Sequence, residues 1–322
     1  MNVRITQLDG KLPNLALMRL SAWHRAQGHD VRFTRSPYRH LDEPVYGRVY
    51  GSAIFDFSKT RAERLAAEFP GAIISGTGVG NPVNVEDIIG ADVGLDYSLY
   101  PDFTASIGFT QRGCRLSCKF CVVPWKEGKP KDANTVAELW RGEPWPRHIH
   151  LLDNDFFGGP SWRDRIAEIR DGAFKVSFTQ GINVRAMTPE VAQAIASVQY
   201  RDNEFKQRRL YTAWDNLKDE EVFFCGVDML EAAGVPPTHL MAFMLIGFDK
   251  RETWERIMHR FERMVARGIR PYPMVFDNDR RDLKRFQRWV VTGLYRAVPF
   301  SEYDPSRKAS DKPSVEQMEL FA

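Results

Sequence analysis

From Ser106 onward the chain alternates short β-rich apolar runs with longer amphipathic stretches. The runs are SIGFT (106–110), HIHLL (148–152), KVSFT (175–179), LYTAW (210–214), LMAFMLI (240–246) and PMVF (273–276). Their β-branched and aromatic content, bounded by turn residues, predicts six strands. Each is followed by enough chain for a helical crossover, which predicts repeated βα units and a parallel sheet. LMAFMLI has no polar alternation and predicts a strand covered on both faces.

Helical periods fill the intervals. Trp254, Ile257, Met258, Phe261, Met264 and Val265 recur at 3.6-residue spacing, and Gly268 is placed to end that helix. Thr188 and Pro189 read as an N-cap and first-turn proline, with Val191, Ile195 and Val198 as the inward stripe. A third helix spans 219–233, closed by Gly234 and the Pro236-Pro237 pair, and places Cys225 with Val222 and Met229 on an apolar stripe. Six βα units fall short of the eight that close a full barrel, so the fold class is α/β with a partial (β/α)6 barrel. Residues 1–100 read separately as a small open α/β domain. It has a strand at VRIT, a helix beginning near Pro13 and Asn14, strands near 53–57 and 72–74, and a helix over 60–69 between them. LDYSLYPDFTA (95–105) reads as a linker, 101–300 as the barrel and 301–322 as a polar C-terminal tail.

Composition narrows the class. The chain has 322 residues, 43% hydrophobic and 27% charged, the balance of a globular protein rather than a disordered one. No apolar run approaches the roughly 20 residues of a membrane span, and the opening residues lack a signal peptide's basic and apolar regions. The expectation is a cytoplasmic protein without a membrane partner. A net charge of +3 is only mildly basic. Arg280, Arg281, Lys284, Arg285 and Arg288 gather in one stretch, read as the solvated face of a helix rather than a phosphate site, which leaves nucleic acid weakly supported as a partner.

The four cysteines carry the candidate chemistry. Cys114, Cys118 and Cys121 stand in the segment GFTQRGCRLSCKFCVVP, directly after the first strand of the larger domain. Three thiolates on one short loop can converge on one metal centre. A cubane 4Fe-4S cluster commonly takes four cysteines, so three leave one iron open to another ligand. A structural zinc site needs four ligands, normally from two paired knuckles, and no second knuckle is present.

This loop resembles the signature of the radical S-adenosylmethionine (SAM) superfamily, and residues 104–298 resemble its (β/α)6 core. The resemblance implies that a reduced 4Fe-4S cluster cleaves SAM to a 5'-deoxyadenosyl radical, which abstracts hydrogen from a substrate. It also implies an electron donor such as flavodoxin or ferredoxin. Residue by residue, Phe120 resembles the aromatic that packs on the adenine. Asp153, Asn154 and Asp155 in LLDNDF stand where a Gly-Gly-Glu stretch holds the SAM amino group. TQGINVR resembles a Q-G-x-x-x-R segment of the branch with cobalamin-type and Elongator-like members, which assigns Gln180, Asn183 and Arg185 to the cofactor rim, Arg185 clamping the carboxylate. LIGFDKRE resembles a backbone contact to the adenine at Ile246 and Gly247. Trp214, Asp215 and Asp277, at the ends of the fourth and sixth strands, are substrate-side candidates weighed against plain packing roles.

The N-terminal domain resembles a truncated cobalamin-binding domain through PNLALMRLSAWHRAQGHDV and ISGTGVG. It lacks the D-x-H-x-x-G segment that ligates cobalt, since His24 and Gly28 do not have that spacing. ISGTGVG is also a poor dinucleotide loop, because it runs into Asn81 and Pro82. With Cys225 the only other thiol, a second cluster cannot be built. The preferred reading is a radical SAM enzyme acting without cobalamin on an unidentified substrate. The alternatives are a cobalamin-dependent radical SAM methyltransferase and a noncatalytic zinc-stabilised nucleic-acid-binding module.

Overall fold

The computed structural model describes residues 1–80, 83–90 and 93–305. The chain forms two compact units, Met1–Thr104 and Ala105–Ala322. Both are α/β with parallel sheets, and none of the described helices is long and apolar enough to cross a membrane.

The first unit contains β1 (Asn2–Gln7), α1 (Leu15–Ala26), β2 (Asp30–Thr34), β3 (Arg48–Ser52), α2 (Lys59–Glu68), β4 (Ile73–Ser75) and α3 (Val85–Ile89). Its sheet is parallel in the order β2-β1-β3-β4, so the winding direction reverses between β1 and β3. Asn14 caps α1, accepting from the Leu17 N–H at 3.2 Å, which is why the helix starts directly after Pro13 and Asn14. The strand expected over 53–57 lies instead at β3, and 56–58 form a short 3-10 turn. Val49 and Tyr50, adjacent in β3 and so on opposite faces of the sheet, are both buried, each in its own apolar cluster, which the neighbouring Arg48 and Gly51 hide in the sequence. The expected linker is no linker: Leu99 and Tyr100 are buried in this unit, and the Tyr100 hydroxyl donates to Gln7 at 2.9 Å. Leu95, Tyr97, Leu99, Tyr100 and Phe103 give this segment enough apolar area to join the core. Asn81 and Pro82, which bear on the glycine-loop reading, lie outside the described residues.

The second unit follows with β5 (Ser106–Gly108), β6 (Gln111–Arg112), α4 (Val123–Lys126), β7 (Lys131–Asp132), α5 (Val136–Leu139), β8 (His148–Leu151), α6 (Trp162–Asp171), β9 (Lys175–Phe178), α7 (Pro189–Ala196), β10 (Gln199–Tyr200), β11 (Leu210–Ala213), α8 (Glu220–Ala232), β12 (Leu240–Ile246), α9 (Trp254–Ala266), β13 (Arg270–Val275) and α10 (Arg281–Val291). β5, β8 and β9 pair in parallel in that order, with β10 added beside β9, and β11, β12 and β13 form a second parallel set. The two sets meet where the Ile182 N–H donates to the Tyr211 carbonyl at 2.7 Å.

Helices α6 to α10 bury one face each in a single apolar cluster. β12 alternates after all, with Met241, Phe243 and Leu245 only half-buried, because one face packs under helices while the other meets neighbouring side chains such as Tyr211 and Tyr272. Cys225 is exposed, not buried: the inward stripe of α8 is Phe223, Gly226, Val227 and Leu230, one position out of phase with it. The tail expected from 301 begins with a packed residue, Tyr303, whose carbonyl accepts from the Arg285 Nε at 2.8 Å; residues 306–322 lie outside the described part.

Candidate functional site

β5, β8, β9, β11, β12 and β13 run parallel within their sets, and every site residue expected from the sequence lies at the end of one of them or in the segment that follows it. That is where open α/β sheets and barrels expose loops that a rigid framework holds in place.

The cysteine loop is an excursion between β5 and β8, closed at its base by the antiparallel pair β6 and β7. Glu127 organises it. Its carboxylate accepts from Arg112 at 3.0 and 2.8 Å, from the Gly113 N–H at 3.0 Å and from the Asn154 amide at 3.2 Å. The Cys114 N–H donates to the Gly128 carbonyl at 3.1 Å, and the Cys121 N–H to the Cys118 carbonyl at 3.0 Å. All three thiols are free and half-buried. Burial pushes the Cys114 thiol up, and negative charge on Asp155, Cys121 or Cys118 would push it further. The donor set, three soft thiolates within one loop, suits iron or zinc. Among the described residues, however, no group of three or more His, Cys, Asp or Glu side chains is arranged to hold a metal ion.

The three acidic and amide residues after β8 have distinct partners. Asp153 is buried, and its Oδ1 accepts from the Thr110 hydroxyl at 3.1 Å and from the Gln111 N–H at 2.5 Å. Its Oδ2 has no partner, and burial pushes the carboxyl up to about 7. Both side-chain polar atoms of Gln111 are likewise buried without a partner. Asn154 is tied to Glu127. Asp155 is saturated by Arg115, which donates from its backbone N–H at 3.0 Å, Nε at 2.7 Å and Nη2 at 2.9 Å.

After β9, Gln180 is exposed, while the Asn183 amide nitrogen is buried without a partner. Arg185 reaches the cysteine loop: its Nη2 lies 4.0 Å from the Cys118 sulfur, and its Nη1 pairs with Asp219 at 2.9 Å. The structure therefore brings Arg185 and Cys118 together across 67 residues of sequence. Phe120 meets Phe248 edge-on at 5.5 Å, and Phe248 meets Phe276 at 4.9 Å, so an aromatic row connects the cysteine loop with the ends of β12 and β13.

Trp214 is fully buried, stacked on Phe223 at 5.3 Å, with its indole N–H donating to the Asn216 carbonyl at 2.7 Å, a packing arrangement. Asp215 accepts from the Leu245 N–H at 2.8 Å, and burial raises its pKa. Ile246 is core, its carbonyl accepting from the Phe276 N–H at 3.0 Å. Gly247 has φ +81°, a conformation that favours glycine whether or not a ligand approaches, and a Cβ there would also meet the Leu283 Cδ1 at 2.6 Å. Asp277 is exposed and accepts from the Asp279 N–H at 3.0 Å at the turn into α10.

Arg115, Glu127, Gln111 and Arg260 also belong to this end of the sheets, although no sequence motif singles them out. Arg260, fully buried on α9, donates to the Trp214 carbonyl at 2.8 Å and the Leu245 carbonyl at 3.0 Å and pairs with Glu252, joining the ends of β11 and β12. Its place in the charged spacing of α9 reads as a solvated position; only the tertiary structure shows the carbonyls it serves. Glu127 and Arg112 had a visible signal, as opposite charges flanking the three cysteines. No family model matches the chain, and no curated protein is significantly similar to it.

Proposed function

We propose that the second unit is a radical SAM enzyme: Cys114, Cys118 and Cys121 hold a 4Fe-4S cluster beside a SAM molecule, and the reaction abstracts hydrogen from an unidentified substrate. On this reading the six parallel strands form a partial (β/α)6 barrel, and cobalamin is not required. The single observation that carries it is the meeting of Arg185 with the cysteine loop. A guanidinium beside the Cys118 sulfur is a ready partner for a carboxylate bound there, with Asp219 fixing its orientation.

When bound, the cluster would supply one electron to SAM and so release a 5'-deoxyadenosyl radical. The chain's own residues bind and orient. Asp153 presents one unpartnered buried oxygen, which can accept from an ammonium; the unpartnered Gln111 amide can meet further polar groups of the ligand. Phe120 offers a half-buried ring face to a purine. Asp155 acts through Arg115, positioning the loop, because its oxygens are already engaged.

The test is anaerobic reconstitution with iron and sulfide, then reduction in the presence of SAM, with and without cobalamin, and assay for 5'-deoxyadenosine. Formation independent of cobalamin supports the reading. Formation that requires cobalamin would move the assignment to a methyltransferase, and none under either condition, with iron bound, would refute SAM cleavage.

A further inference from the structure

The excursion that carries the cysteines has a second character that the cofactor reading does not use. Between Gln111 and Asp132 it holds six basic against two acidic side chains, a net +4, more than the +3 of the entire chain. Glu127 is engaged by Arg112, Gly113 and Asn154, while the exposed Asp132 accepts from the Ser161 hydroxyl at 2.5 Å and keeps its charge. Arg112 and Arg115 are in turn neutralised by Glu127 and Asp155. Lys119, Lys126, Lys129 and Lys131 remain, all exposed and none in an ion pair among the described residues. Amid these lysines Trp125, on α4, is 77% exposed, and Val122 is 45% exposed.

A solvated lysine loop has no reason to hold an indole in water. An exposed ring in the same short excursion as several unpaired lysines is the combination that binds single strands: bases stack on the aromatic face while cations follow the phosphates. Protein interfaces fit less well, since lysine is depleted in them and arginine enriched. The basic face of α10 lacks this pairing. Arg280 is tied to Asp282, Arg285 serves the Phe300 and Tyr303 carbonyls, and Trp289 is buried.

We propose that the excursion 111–132 is a binding surface for single-stranded nucleic acid, with Trp125 as the stacking platform and Lys119, Lys126, Lys129 and Lys131 on the phosphates. This goes beyond the radical SAM reading and does not depend on it, because the groups involved are not cluster or SAM contacts.

Fluorescence anisotropy of labelled single-stranded RNA and DNA oligonucleotides on the full chain tests it. With four phosphate contacts, affinity falls about 50-fold between roughly 50 and 200 mM salt. The double variant K126Q/K129Q reduces that salt dependence to about sevenfold, since two contacts are lost. W125A weakens binding on the order of tenfold at either salt, and W125F restores most of it. Absence of oligonucleotide binding at the lower salt overturns the proposal. So does binding that W125A leaves unchanged, which is a plain polyelectrolyte effect, and so does a surface that binds an acidic flavoprotein through the lysines but no oligonucleotide. Loss of oligonucleotide binding leaves 5'-deoxyadenosine formation untouched, and capture of an acidic flavoprotein agrees with the electron donor that the radical SAM reading implies, so the two claims fail separately.

Discussion

Asp153 shows how one residue can be read as a ligand group in waiting. A carboxyl raised from 3.8 to about 7 by burial carries a cost when ionised, and a second oxygen without a partner adds to it. The sign follows from linkage. A carboxyl with a raised folded pKa contributes its stability at low pH and loses it as pH rises from about 4 through about 7. Replacing Asp153 with Asn keeps an oxygen for Thr110 and Gln111 but removes the charge. The shift corresponds to about 4 kcal/mol, offset by about 1–3 kcal/mol for an amide N–H left unpaired. Urea denaturation is therefore expected to show D153N more stable than the parent by about 2 kcal/mol at pH 8, with the gain absent at pH 5. If the proposed SAM site is right, SAM raises the melting temperature of the parent and D153N loses that rise. An equal effect at both pH values would remove the charge argument.

At the scale of elements, α8 positions the rim turn that carries Asn183 and Arg185, and it does so through Gly226. A Cβ there would lie 2.1 Å from the Val184 carbonyl oxygen. In an exposed helix interior Gly to Ala gains about 1 kcal/mol, but here overpacking should dominate, and G226A is expected to lose about 2 kcal/mol in chemical denaturation. A stabilised G226A would mean that the close approach does not occur. Helices and strands with strong periods were legible beforehand. Thr188 does accept from the Val191 N–H at 3.2 Å, and the six strands start within a few residues of the apolar runs. The phase of α8 was not legible, because Val222, Cys225 and Met229 form as good an apolar stripe as the one that packs. β12 misled for a related reason: a run of apolar residues carries no record of which face its neighbours leave half-open. Of the site, the strand-end positions could be read from spacing; the partners could not. Arg185 meeting Cys118, and Arg260 bridging two strand ends, depend on contacts across long stretches of chain.

Each of the two units encloses a buried histidine held neutral. In the first, burial and the nearby His29 and Arg48 charges push His24 down to about 4, where it sits between His29 and the Tyr50 hydroxyl. In the second, burial and His148 push His150 down to about 4. A histidine with a depressed folded pKa contributes stability that is complete above the unfolded value of 6.5 and is lost as pH falls toward 4. Each shift corresponds to about 3 kcal/mol, so thermal scans should show both units losing stability across that window. H150Q should flatten the acid limb of the second unit alone, and an unchanged pH profile would exclude His150 as its source.

The central claim concerns the three cysteines, and the most direct measurement is the metal and sulfide content of the purified, anaerobically reconstituted protein, read with its visible spectrum. Four irons and four sulfides per chain are expected, giving a brown protein. The count and colour should disappear together in C114A, C118A and C121A and persist in C225A. A colourless protein that retains one zinc per chain, or iron binding indifferent to all three substitutions, would contradict the assignment.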